Sequence, residues 1–135
     1  MDKAVISIFW ALVAVFVMLV LSFVAGFSLG YASGIAIMSL SVIFFVLGIL
    51  LCIVAARSTE DIALKRLLFL AGMSAAGSMV SIVLHNIVFA VFKDFWESSG
   101  GGDEPFFFIL GLIVFPIAFL VAVFGSITLM ARSKK

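Results

Sequence analysis

Three long stretches without a charged residue set the strongest limit on how this chain can fold. They cover residues 4–56, 67–92 and 105–131, which are 53, 26 and 27 residues long. The hydrocarbon core of a bilayer is about 30 Å thick, and a helix rising ~1.5 Å per residue crosses it in about 20 residues. The second and third stretches therefore each predict one membrane-spanning helix. The first would extend roughly 80 Å as one straight helix, so it must hold two.

The composition agrees with a chain that lies mostly within a membrane. Hydrophobic residues make up 66% of the 135 residues and charged residues 11%, with a mean hydropathy of +1.44. An average soluble domain is about 45–50% apolar and about 25% charged, because polar side chains must cover its surface. These proportions exclude a soluble enzyme domain, a nucleic-acid-binding protein and a disordered chain.

A glycine-rich segment marks the place where the first stretch reverses. Gly26, Gly30 and Gly34 follow one another at intervals of four residues. On a continuous helix this spacing would form a face for close helix packing, but glycine also supplies the backbone freedom that a reversal needs. Because the first stretch has to reverse somewhere, we interpret the segment as a turn.

The sequence therefore predicts an all-α integral membrane protein, built as a single polytopic domain over residues 1–135. Its predicted architecture is a bundle of four transmembrane helices joined by short loops. The predicted helices cover residues 5–27, 35–56, 62–92 and 105–130.

The basic residues are distributed unequally between the two ends of this predicted bundle. Lys93 is the single basic residue at one end. The other seven lie at the opposite end, near the two termini or between the second and third predicted helices. These seven are Lys3, Arg57, Lys65, Arg66, Arg132, Lys134 and Lys135. Since basic residues concentrate on the cytoplasmic side, we expect both termini in the cytoplasm and the chain in a cell membrane, plasma or inner.

The predicted third helix carries a stripe of polar side chains. Ser74, Ser78, Ser81 and His85 are separated by four, three and four residues, so at ~100° per residue they share one face. Together with Asn86 they form a candidate polar face within the membrane, which we expect to point into the bundle. Two interpretations stay open for His85 and Asn86: hydrogen bonding between helices, or a functional site centred on His85.

A proline lies in the middle of the predicted fourth helix. Pro116 has no N–H to donate, and its ring crowds the carbonyl group of Leu112, so we predict a kink at this position. Kinks mark ligand pathways in some transporters, yet prolines are also frequent in membrane helices. The functional and the structural interpretation of Pro116 both stay open.

The sequence offers little of the chemistry on which enzymes depend. It contains no HExxH zinc motif, no phosphate-binding Walker loop and no GxSxG nucleophile motif. No Asp, Glu, Lys or Arg lies within the three charge-free stretches that cross the membrane, which excludes small multidrug antiporters that need an intramembrane carboxylate. Cys52 is the single cysteine, so it forms no intrachain disulfide and is interpreted as a packing residue. We expect no catalytic residue, no metal site, no bound cofactor and no enzymatic activity.

Three functional hypotheses are compatible with these features. The first is a non-enzymatic interaction or accessory subunit that packs against a second copy of itself or a larger membrane protein. The second is a small homo-oligomeric channel or carrier lined by the serine and histidine stripe. The third is a haem or other cofactor module in which His85 is a ligand. In each case the expected surroundings are the lipid bilayer, and no nucleic acid is bound.

Overall fold

The described part of the chain is helical. The computed structural model describes residues 2–29, 31–98 and 105–132, and these ranges contain no strand. The helical elements are α1 (Lys3–Leu29), α2 (Tyr31–Ser58), α3 (Ile62–Val91), α4 (Lys93–Ser98), α5 (Pro105–Ile109), a π-helical segment (Leu110–Val114) and α6 (Phe115–Arg132). Residues Pro105–Arg132 run continuously as one span, which we call the fourth span. The predicted four apolar helices are confirmed: α1, α2, α3 and the fourth span are each long and apolar enough to cross a membrane.

The reversal between α1 and α2 occupies fewer residues than predicted. α1 continues through Gly26 to Leu29, and α2 already includes Gly34. Gly30, which we expected within the turn, lies outside the described residues. The longer helices have a simple cause, because an apolar segment satisfies its backbone N–H and C=O groups best by remaining helical.

The start of α3 is defined by a side-chain cap. The Asp61 carboxylate accepts hydrogen bonds from the backbone N–H groups of Ala63 at 2.8 Å and Leu64 at 3.1 Å. These are two of the donors that a helix N-terminus leaves without a partner. The helix therefore begins at Ile62, as the sequence predicted, and it ends at Val91 before the short helix α4.

Neighbouring spans pack in chain order. α2 and α3 approach so closely that a Cβ atom added at Gly48 would lie 2.7 Å from the carbonyl oxygen of Gly72. α3 packs on the fourth span, where Leu67 covers Gly125. In both pairs small residues allow the backbones to come together.

The seam between α1 and the fourth span is of a different kind. Close backbone packing joins α1 to α2, α2 to α3 and α3 to α6 within the described chain, whereas α1 and α6 are not a closely packed pair. They meet through large side chains, and the rings of Phe16 and Phe119 lie 4.7 Å apart between centroids. We call this the closing seam.

The buried core occupies one half of the bundle. We call the end with Lys3, Arg57 and Arg132 the basic end, and the opposite end, where α3 meets α4, the acidic end. The buried apolar side chains all lie in the basic half or at mid-height: Val5, Phe9, Leu12, Phe44, Leu51, Ala55, Leu64, Leu68, Ala71, Ala75, Phe119, Ala122 and Val123. The acidic half of the spans is packed differently, and the candidate site lies there.

Candidate functional site

A partly open cavity lies in the acidic half of the bundle, with a volume of about 480 Å³. Every one of the four spans contributes to its lining, for example Leu19 of α1, Ile37 of α2, Ile82 of α3 and Leu112 of the fourth span. Its size lies within the range of roughly 300–1,000 Å³ that is usual for small-molecule sites. We take this cavity as the candidate functional site.

Three phenylalanine rings from three helices close the cavity towards the basic half. Phe119 packs against Phe16 at 4.7 Å and against Phe44 at 5.2 Å, while Phe16 and Phe44 are 5.9 Å apart between ring centroids. Edge-on and tilted arrangements at these distances are favourable for aromatic pairs. Phe16 and Phe44 also line the cavity, so the cluster forms its floor and separates it from the core.

Few polar groups face the cavity, and two of them use their protons within their own helix. The Ser41 hydroxyl donates to the carbonyl of Ile37 at 2.8 Å, and the Ser78 hydroxyl donates to the carbonyl of Ser74 at 3.0 Å. Serines bonded in this way satisfy their donors locally. The walls around Ser41 and Ser78 are therefore suited to an apolar occupant.

His85 lies towards the acidic end of the cavity. It lies seven positions after Ser78, which places it about 10 Å further along α3. The imidazole is half-buried, and its ring centroid lies 5.5 Å from that of Phe108 at an interplanar angle of 55°. Among the described residues that line the cavity, His85 is the only titratable one.

The predicted polar stripe is divided by the structure. Ser78 and His85 line the cavity, whereas Ser74 and Ser81 are buried, with 2% and 4% of their surface exposed. A Cβ atom added at Gly111 would lie 3.3 Å from that of Ser81, so Ser81 faces the fourth span. The stripe thus points into the chain's own bundle, partly towards the cavity and partly into helix contacts.

Asn86 does not belong to this face, which corrects the prediction. It is exposed, and its side-chain amide donates to the carbonyl of Ile82 at 2.8 Å. The reason is geometric, since the residue after His85 is turned by ~100° around the helix axis. The local hydrogen bond satisfies one amide donor without a second helix.

Pro116 lies beside the cavity, and the backbone before it is distorted. The Phe115 N–H bonds to the carbonyl of Leu110, five residues earlier, within the π-helical segment. A wider turn accommodates the proline ring, which in a regular α-helix would crowd the Leu112 carbonyl. The sequence predicts a kink at Pro116, and the structure shows a π-helical turn immediately before it. Such turns occur often at functional sites.

Sequence reasoning missed the residues that complete the cavity from the other spans. Ser41 could have been recognised from the sequence, because it carries a hydroxyl group within an otherwise apolar helix. Phe108 and Leu112 carried no signal, since they resemble every other apolar residue of a membrane helix. Their role depends on how the spans face one another.

The surroundings of His85 do not favour a haem site. Met79 lines the same cavity. Like His85, it belongs to a residue type that ligates haem iron in other proteins. Both residues belong to α3, however, and one helix does not reach the two opposite faces of a macrocycle. In the described ranges, no group of three His, Cys, Asp or Glu side chains is placed to hold a metal ion.

Comparison with known proteins adds no further constraint. No protein-family model, characterised protein or solved structure matches the chain. The cavity is therefore the feature from which we infer a function.

Proposed function

We propose that this chain is a four-span integral membrane protein that binds an amphiphilic molecule in its cavity, without converting it chemically. The observation that carries the proposal is the cavity of about 480 Å³, which residues of all four spans line and whose lining is apolar apart from a few side chains. Ligand sites in proteins share this design of apolar walls with a small number of placed polar groups.

The size of the cavity supports an occupant of lipid-like dimensions. An apolar cavity of about 150 Å³ holds one benzene molecule. By that standard the cavity of about 480 Å³ accommodates on the order of 20 carbon atoms. Wall atoms that face empty space lose dispersion contacts, so a molecule that fills the space stabilises the acidic half.

We further propose that the chain lies in a cell membrane, plasma or inner, and that both termini are on its cytoplasmic side. The support is the excess of seven basic residues over one between the two ends. A thiol reagent that does not cross membranes would then label a cysteine at Asp94 but not one at Glu60, in intact cells with Cys52→Ala as background. Both positions are exposed, so the reverse labelling pattern would refute this orientation.

The other hypotheses receive less support. A channel lined by the polar stripe needs Ser74 and Ser81 on a surface between copies, yet both are buried within one chain. An accessory subunit needs a partner-binding face, and exposed apolar residues such as Met38 are covered equally well by lipid tails. The cavity therefore favours binding within the bundle.

A photoactivatable long-chain alcohol tests the proposal. The purified protein in lipid nanodiscs is illuminated with the probe, and the labelled residues are mapped by peptide mass spectrometry. Ser41→Phe adds a ring inside the cavity, and the matched control Val42→Phe adds the same ring on the exposed neighbouring position. We expect labelling at Phe16 and Ile37 in the wild type and in Val42→Phe, and at least a severalfold loss in Ser41→Phe. Equal labelling in both variants would contradict the proposal.

A further inference from the structure

The cavity opens sideways, and its opening lies at the closing seam. The lining residues of α2 and α3 are buried or half-buried, whereas several lining residues of the two helices that flank the seam are exposed. The exposed ones are Val20, Phe23 and Val24 of α1, and Phe108 and Leu112 of the fourth span. A molecule can therefore reach the cavity from the side of the bundle, where a bilayer would hold its lipids.

The position of His85 along α3 indicates the membrane leaflet from which such a molecule enters. α3 has 30 residues and is about 45 Å long, so its ends extend about 7 Å beyond a hydrocarbon core of about 30 Å on each side. His85 lies six residues, or about 9 Å, before the end at Val91. The imidazole is therefore close to the boundary between hydrocarbon and the polar interface.

The cavity continues from this boundary into the hydrocarbon. From Phe108 to Pro116, the fourth span passes along about 12 Å of cavity wall. Phe16 and Phe44 close the end of the cavity that faces the basic half. No titratable side chain lines the described wall between them and His85. One end of the site is thus apolar, and the other carries an imidazole.

From these observations we propose that the occupant is an acyl chain of a lipid from the leaflet at the acidic end. The chain points towards the Phe16 and Phe44 floor, and its carboxyl or ester group lies beside the His85 imidazole, the one titratable side chain of the described cavity wall. The carboxyl or ester oxygens of lipids lie where their hydrocarbon chains begin, which is the level of His85. This inference rests on the proposed binding function and specifies its ligand class, orientation and route of entry.

The chemistry of the walls agrees with this orientation. The hydroxyls of Ser41 and Ser78 already donate to their own helices, so they require no donor or acceptor from an acyl chain. A lipid inserted in the opposite direction would place a polar head against Phe16 and Phe44, where its desolvation would cost several kcal/mol. The seam between α1 and the fourth span lets the head group stay outside while the chain enters.

Two photoactivatable phospholipids and two matching fatty acids test the inference in nanodiscs. In each pair a diazirine lies either near the carbonyl group or near the methyl end of the chain. We expect the carbonyl-proximal probes to label Phe108 and Val24, and the methyl-proximal probes to label Phe16 and Phe44. Labelling in the opposite order, or labelling independent of diazirine position, would overturn the orientation. Saturable labelling by the phospholipids identifies a bilayer lipid as the source, and saturable labelling by the fatty acids alone identifies a free acid.

Variants of His85 test the polar contact separately from the filling of the cavity. His85→Phe keeps a ring and removes the polar atoms, while His85→Gln keeps a polar side chain. We expect a preference of about tenfold for a fatty-acid probe over a headless alkane probe in the wild type, retained in His85→Gln and lost in His85→Phe. If all three proteins bind acid and alkane equally, the role of His85 is refuted although the proposed binding function stands. If neither probe labels the cavity, the binding function itself is refuted.

Discussion

The two halves of this bundle are built from the same kind of residues and yet differ in packing. In the basic half, small residues such as Gly48 and Gly72 let the helices touch, and large side chains such as Leu68 are fully buried between them. In the acidic half the spans leave about 480 Å³ unfilled. Apolar composition therefore does not by itself determine packing, because lipid tails and leucine side chains are equally apolar. What differs is whether facing residues match in size.

The largest expected effect comes from removing a large side chain in the basic half. Leu68→Ala leaves a hole among fully buried neighbours, so the free energy of unfolding in mixed micelles should fall by about 2–5 kcal/mol. Leu112→Ala changes the same side chain in the cavity wall, where Leu112 is already exposed. It should cost about 0.5 kcal/mol or less. Equal losses for the two variants would show that the halves are packed alike.

A smaller effect is expected at the contact between α2 and α3. A Cβ atom at Gly72 would lie 2.6 Å from the backbone carbonyl oxygen of Gly48. Since backbone atoms do not move aside easily, Gly72→Ala should destabilise the protein by about 1–3 kcal/mol. Gly34→Ala is the control, because nothing lies within 4 Å of an added Cβ there. In that helical position alanine should be neutral or stabilise by about 0.5–1 kcal/mol. A stable Gly72→Ala variant would contradict the close approach.

The smallest expected difference separates two serines of the same helix. Ser81→Leu places a large side chain against the fourth span and should cost about 1–3 kcal/mol. Ser78→Leu should cost less than Ser81→Leu, because Ser78 faces the cavity and leucine can extend into it. Chemical or thermal unfolding of the two variants in one detergent provides the comparison. A larger loss of unfolding free energy for Ser78→Leu than for Ser81→Leu would mean that a side chain at position 78 cannot extend into the cavity.

The sequence predicted the elements of this fold better than their arrangement. Charge-free stretches located the four apolar helices, because the length and composition of a membrane-spanning segment are local properties of the sequence. The cavity could not be predicted, since it depends on how Phe16, Phe44 and Phe119 meet across three helices. Asn86 lies on a different face than the sequence predicted, because the polarity of a side chain does not determine its position around the helix. Pro116 predicted a distortion, but not that the backbone would widen into a π-helical turn before it.

Native mass spectrometry of the protein released from its own membranes shows whether the cavity holds an amphiphile. The wild-type chain and the Val42→Phe variant should each retain one bound amphiphile. The Ser41→Phe variant, in which the added ring occupies the cavity, should lose it. Retention of the same molecule by all three proteins, or by none of them, would contradict binding within the acidic half of the bundle.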